Sequence, residues 1–201
     1  PEMKAIIVVE NPASWPFQIP GVPVVAARKY LTDERYSEGR GLKVFNLCRS
    51  YRYQSVGYYV SLLAAARGHK PMPSLTTIQD LKALEIVRIR SDELEDLIER
   101  SLAHITAKSF ELSIYFGRNT SKRYDRLAQK LFQSFYAPLL RACFMKRGGR
   151  WVLQSVQPIA AADIPEHHHP FVLDLACQYF TSGRWIQPLV KYWHARSNTK
   201  G

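Results

Sequence analysis

The sequence predicts an α/β domain: a mixed β-sheet flanked by helices, with a β-hairpin and a helix at the C-terminal end. Three observations carry this. Short, nearly uninterrupted apolar runs such as "VPVVAA" and "LKVFNL" read as strands buried on both faces. From Tyr53 the apolar spacing changes to that of a helix, and the two kinds of segment alternate from there on. The length, 201 residues, suits one domain with a short extension. Residues 1–183 are expected to form that domain and residues 184–201 a tail or linker.

The elements follow in order. "AIIVVE" (5–10) is the first strand, and the prolines of the next thirteen residues exclude a helix there. "VPVVAA" (22–27) and "LKVFNL" (42–47) are two further strands, with "TDERYSEGRG" between them as loop. Val56, Tyr59, Val60 and Leu63 have helical spacing, ended by Gly68 and Pro71. Thr77 with Asp80 offers a capping box for a helix to about residue 84, and Ser91 offers a cap for the next. That next helix carries Leu94, Leu97, Ile98 and Leu102. "FELSIYF" (110–116) alternates as a half-buried strand. Tyr124, Leu127, Ala128, Leu131, Phe132 and Phe135 form the best helical stripe in the chain. Gly148-Gly149 suits the turn of a hairpin. Asp163 and Pro165 start a last helix bearing Val172, Leu175, Ala176 and Tyr179.

Composition narrows the function classes. Hydrophobic residues at 46% and aromatic residues at 12% supply a substantial core. No apolar run approaches the roughly 20 residues of a membrane span, so no membrane partner is expected. The first ten residues lack the regions of a signal peptide. Three scattered cysteines, Cys48, Cys143 and Cys177, argue against a disulfide framework and for a reducing, cytoplasmic setting. Lys and Arg number 28 against 17 acids, a net charge of +11. The excess is uneven: residues 42–70 hold five bases and no acid, and residues 117–150 nine bases against Asp125 alone. Such polarity attracts anionic partners, among them small molecules, acidic peptides and nucleic acid.

Two junctions concentrate the chemistry. "VFNLC" runs into Arg49, Ser50, Tyr51 and Arg52, and "IYFG" into Arg118, Asn119, Thr120 and Ser121. Each reads as a strand end followed by arginines, a hydroxyl cap and a helix start, where free amides favour an anion. The guanidinium fork matches carboxylate or phosphate. Arg49, Arg52 and Arg118 would then hold the anion, with Ser50 and Asn119 as hydrogen-bonding partners, if the two junctions are neighbours. The competing reading pairs Arg49 and Arg118 with acids such as Glu111 or Asp125.

The long stretch "FNLCRSYRYQSVGYYVSLLAAARGHKPMPSLTTIQDLK", together with "FELSIYFGRN" and "YDRLAQKLF", resembles the RimK-like ATP-grasp N-terminal domain, over roughly residues 6–180. The resemblance implies a cytoplasmic bacterial protein and a RimK-like ATP-grasp domain as partner, in cis or in trans. It also implies a part in making or modifying peptides or amide-linked metabolites. It implies no activity for the N-terminal domain itself, and the chain is not expected to be catalytic alone. No glycine-rich phosphate loop is present in the 201 residues. No cofactor is expected in this chain, and ATP and Mg²⁺ only where an ATP-grasp domain is fused or partnered.

Three other features have specific readings. Cys48, beside Arg49 and near a helix start, could be a nucleophile in a stand-alone enzyme, or a buried inert thiol. His167, His168 and His169 are adjacent and fan outward, so no metal site is expected. Tyr51, Tyr53, Tyr58 and Tyr59, interleaved with arginine, could stack on bases of RNA or single-stranded DNA. The reading that takes in most of these features is an anion- or carboxylate-binding, substrate-recognition domain associated with an ATP-grasp carboxylate–amine ligase.

Overall fold

A computed structural model describes residues 3–181, and the expected tail at 184–201 lies outside the described residues. Strand β1 (Ala5–Val9) is buried at every position, as a strand covered on both faces must be. It pairs in parallel with β2 (Val24–Ala26) on one side and with β3 (Lys43–Asn46) on the other; β3 pairs in parallel with β4 (Lys70–Met72). The order is β2-β1-β3-β4. One face, Ile6, Val8 and Val44, packs on Tyr30 of α1 (Ala27–Thr32) and on Val60 and Ala64 of α2 (Val56–Ala66). The other face, Ala5, Ile7, Val9, Phe45 and Met72, belongs to a larger core.

That larger core joins the first sheet to a second one. Strands β5 (Ser109–Tyr115), β6 (Leu139–Arg147) and β7 (Arg150–Pro158) form an antiparallel sheet in the order β5-β6-β7. Leu112 and Ile114 point inward from β5 as the alternation predicts, with Leu140, Ala142, Phe144 and Leu153 beside them. The hairpin turns on Gly148 and Gly149, at φ 58° and 80°, the left-handed pair that a two-residue hairpin turn demands. Helices α3 (Leu75–Lys82), α4 (Leu84–Glu93) and α5 (Glu95–Leu102) pack on β7, and α6 (Asp125–Ser134) packs on β5. Helix α7 (His169–Thr181) adds Val172, Leu175 and Ala176 to the same core. No helix among the described residues is long and apolar enough to cross a membrane.

The α/β architecture with its C-terminal hairpin and helix is as expected, but the parallel and antiparallel strands form two sheets. Three short elements were not foreseen: α1, β4 and α4. Helix α3 starts from Ser74, whose Oγ accepts the Thr77 N–H at 3.2 Å, so Thr77 lies inside the first turn. Ser91 is no cap. It is buried within α4, and its Oγ accepts the Leu153 N–H at 3.1 Å, tying that helix to β7. Two short 3₁₀ turns, Ala161–Asp163 and Glu166–His168, precede α7, which begins only at His169.

Candidate functional site

The chain leaves β1 toward β2 on one side and returns across it to β3 on the other. Between two strands whose connections part in opposite directions, a crevice opens beyond their carboxyl ends, the usual place for ligands in open α/β sheets. Here it is about 270 Å³ in volume. Val9, Glu10 and Asn11 line it from the end of β1, and Leu47 and Arg49 from the end of β3. Ser14, Trp15 and Ala160–Ala162 complete the wall. The indole Nε1–H of Trp15 is buried without an acceptor among the described residues.

The loop at 47–55 is fixed from beneath. Asn46, fully buried, donates from Nδ2 to the Gly57 carbonyl at 2.7 Å and to Ser61 Oγ at 2.9 Å. Its Oδ1 accepts the Cys48 N–H at 3.2 Å, and its carbonyl accepts the Tyr51 hydroxyl. Ser61 Oγ donates onward to the Pro73 carbonyl at 2.8 Å, and Lys82 Nζ to the Tyr51 carbonyl at 2.7 Å. Glu10 Oε1 accepts the Arg49 N–H at 2.8 Å. With the backbone held so, the Arg49 and Arg52 side chains stand exposed. No hydrogen bond or ion pair engages either guanidinium among the described residues.

The helix start lies later than the sequence suggests. Ser55 is the N-cap of α2, its Oγ accepting the Tyr58 N–H at 3.2 Å. Arg52 therefore precedes the helix. Ser50 orders the loop: its Oγ accepts the Arg52 N–H at 3.2 Å and its carbonyl accepts the Ser55 hydroxyl at 3.2 Å. Cys48 is 1% exposed. Burial pushes its thiol well above the ordinary range, and the nearby Glu10 carboxylate adds to the effect. A thiol so placed stays protonated and behaves as a core residue.

Arg118 and Asn119 sit at the end of β5, on the other sheet. Phe116 and Gly117, at φ 49° and 83°, make a tight turn in which Tyr115 and Arg118 exchange backbone hydrogen bonds. Arg118 Nε stands 4.0 Å from Asp125 Oδ2. Asn119 donates from Nδ2 to the Ser113 carbonyl at 2.8 Å, and its Oδ1 accepts the Ser121 N–H at 2.9 Å. The Asn119 N–H in turn reaches Asp125 Oδ1 at 3.1 Å. The two junctions are therefore not alike: Asp125, in the first turn of α6, already supplies the second with a carboxylate. The crevice wall includes Arg49 and not Arg118.

Three of the histidines have structural partners. His168 Nδ1 lies 2.9 Å from the Tyr115 hydroxyl, His169 Nε2 lies 3.1 Å from the Ile164 carbonyl, and His104 Nε2 lies 2.7 Å from the Tyr124 hydroxyl. No group of three His, Cys, Asp or Glu residues among the described residues could hold a metal ion. The sequence reading missed Glu10, Trp15 and Asn46. The signals were an acid closing an apolar strand and one amide inside another.

Comparison with known proteins gives three results. No curated protein matches. Among solved structures, the macrocyclase MdnB from Microcystis aeruginosa MRC is similar at 9% identity and a TM-score of 0.44, over 88% of this chain and 98% of that one. A single-chain, multi-domain long-chain acyl-CoA carboxylase is similar at 13% identity and a TM-score of 0.36, over 83% of this chain; the chain spans 21% of its length. The model of the RimK-like ATPgrasp N-terminal domain matches residues 27–175, and the chain belongs to that family.

Proposed function

We propose that this domain presents the carboxylate of a substrate to an ATP-grasp ligase, and that the crevice beyond β1 and β3 is where the carboxylate binds. The observation that carries the reading is Arg49: a guanidinium without a partner among the described residues, on the wall of a crevice whose backbone is locked by buried hydrogen bonds. A guanidinium offers two parallel N–H donors to a carboxylate, and a preorganised loop loses little entropy on binding. Arg52, in the same loop, supplies a second unengaged positive charge, and the Ser50 hydroxyl keeps its proton to donate. Arg118 and Asn119 are assigned to their own turn. ATP and Mg²⁺ belong to the partner domain.

The test is calorimetric titration of the full chain with 4-methylpentanoate, a carboxylate with an apolar tail. Arg49→Gln should weaken binding by about tenfold or more without moving the melting temperature, because Arg49 makes no side-chain contact that folding needs. Binding unchanged by Arg49→Gln would end this reading.

A second reading has one observation in its favour. Tyr53 is 71% and Tyr59 40% exposed, and both rings meet Tyr58 edge to face, at 5.3 and 5.6 Å. Beside Arg52 this aromatic surface suits the bases of single-stranded nucleic acid. Tyr51, by contrast, is buried.

A further inference from the structure

The crevice holds a second charge. Glu10 lines it beside Arg49. Its Oε1 accepts the Arg49 backbone N–H at 2.8 Å, and its Oε2 has no hydrogen-bond partner among the described residues. No ion pair joins the Glu10 carboxylate to the Arg49 guanidinium among those residues. The wall therefore offers an unneutralised anion and an unneutralised cation from adjoining strand ends. The remaining lining is largely apolar: Val9, Leu47, Trp15 and Ala160–Ala162. A volume of about 270 Å³ is below the usual range for drug-sized ligands, and it suits a molecule the size of one amino acid.

We infer that the crevice takes a zwitterionic α-amino acid with an apolar side chain. Arg49 holds the carboxylate and Glu10 Oε2 the ammonium, while the side chain lies against Val9, Leu47 and Trp15. This rests on the carboxylate reading of Arg49 and adds the cation-binding half. A carboxylate without an ammonium meets the repulsion of Glu10, and an amine without a carboxylate meets that of Arg49. The zwitterion satisfies both charges at once, so the site selects against simple acids and simple amines by the same two residues.

Three probes of one skeleton test this by titration calorimetry on the full chain: L-leucine, 4-methylpentanoate, which lacks the ammonium, and 3-methylbutylamine, which lacks the carboxylate. L-leucine should bind about tenfold or more tighter than either. Glu10→Gln keeps a side-chain oxygen to accept the Arg49 N–H, so the loop should hold, as a melting curve will show. It should bring L-leucine down to the affinity of 4-methylpentanoate while leaving the latter unchanged or improved. Should the variant not fold, the three-probe comparison on the natural chain decides. If 4-methylpentanoate binds as tightly as L-leucine, and through Arg49, the zwitterion inference is overturned and the carboxylate reading stands. If none of the three binds, both fall.

Discussion

Asn46 governs the crevice without lining it. Its amide and carbonyl groups join the end of β3 to Gly57, Ser61, Cys48 and Tyr51, and it is fully buried. Asn46→Ala removes these side-chain bonds and leaves the Cys48 N–H without a partner in a place water cannot reach. The expected loss is about 2–4 kcal/mol, measured by urea unfolding, with carboxylate binding weakened in the fraction still folded. A second buried polar residue sets a pH response. His69 Nδ1 meets the Tyr30 hydroxyl at 2.7 Å and Nε2 the Gly39 carbonyl at 3.0 Å. A neutral ring with its proton on Nε2 satisfies both, accepting from tyrosine and donating to the carbonyl. Burial holds the His69 pKa below its ordinary value of 6.5, with Arg67 contributing. His168 is lowered as well, by burial and by His167 and His169. For a depressed histidine the unfolded chain takes up the proton first as pH falls. Stability is therefore complete above 6.5 and declines below it, so unfolding midpoints measured between about pH 7.5 and 5.5 should fall with pH. An NMR titration placing His69 at or above 6.5 would contradict this.

At the scale of elements, α2 shows where periodicity misleads. Its apolar spacing puts Val56 and Tyr59 in the core, yet they are 43% and 40% exposed, and the buried face is Gly57, Val60, Ser61 and Ala64. The helix is turned by close approach and polar contact. A Cβ at Gly57 would run into the Ser50 carbonyl oxygen and come within 2.9 Å of the Cys48 Cβ, while Ser61 faces Asn46. Gly57→Ala should therefore destabilise, by roughly 1–3 kcal/mol, despite the gain of about 1 kcal/mol in helix propensity. It should also displace the loop that carries Arg49, so thermal melts and carboxylate titration should both register it. A stabilised variant would refute the packing. Where one face is wholly apolar and the other wholly polar, as in α6, burial and period agree and the sequence is readable. A three-residue strand such as β4 has too few residues to show a period. Helix α4 was obscured because Ser91, which resembles a cap, is there to bond β7.

At the scale of the molecule, the site was half legible. Arg49 and Arg52 stand out among aromatics in one local stretch. Glu10 is 39 residues away from Arg49, and only the parallel pairing of β1 with β3 makes it a neighbour; nothing local announces that. The charge of +11 was equally visible and decides less, because so basic a surface draws any polyanion at low salt. Salt dependence separates the two readings. A carboxylate held in the crevice forms a compact contact, and raising monovalent salt from about 50 to 500 mM should change its affinity less than about fivefold. A single strand tracked through three phosphates should lose roughly a hundredfold over the same interval, since the slope is about −0.7 per phosphate. Tyr53→Ala sharpens the comparison, because a stacked base contributes roughly 1–3 kcal/mol and Tyr53 lies outside the crevice wall. The carboxylate reading requires 4-methylpentanoate binding to be indifferent to Tyr53→Ala and nearly indifferent to salt. Oligonucleotide binding that is steep in salt, lost in Tyr53→Ala and unaccompanied by any carboxylate binding would instead make this a nucleic-acid module, and Arg49 one contact along a strand.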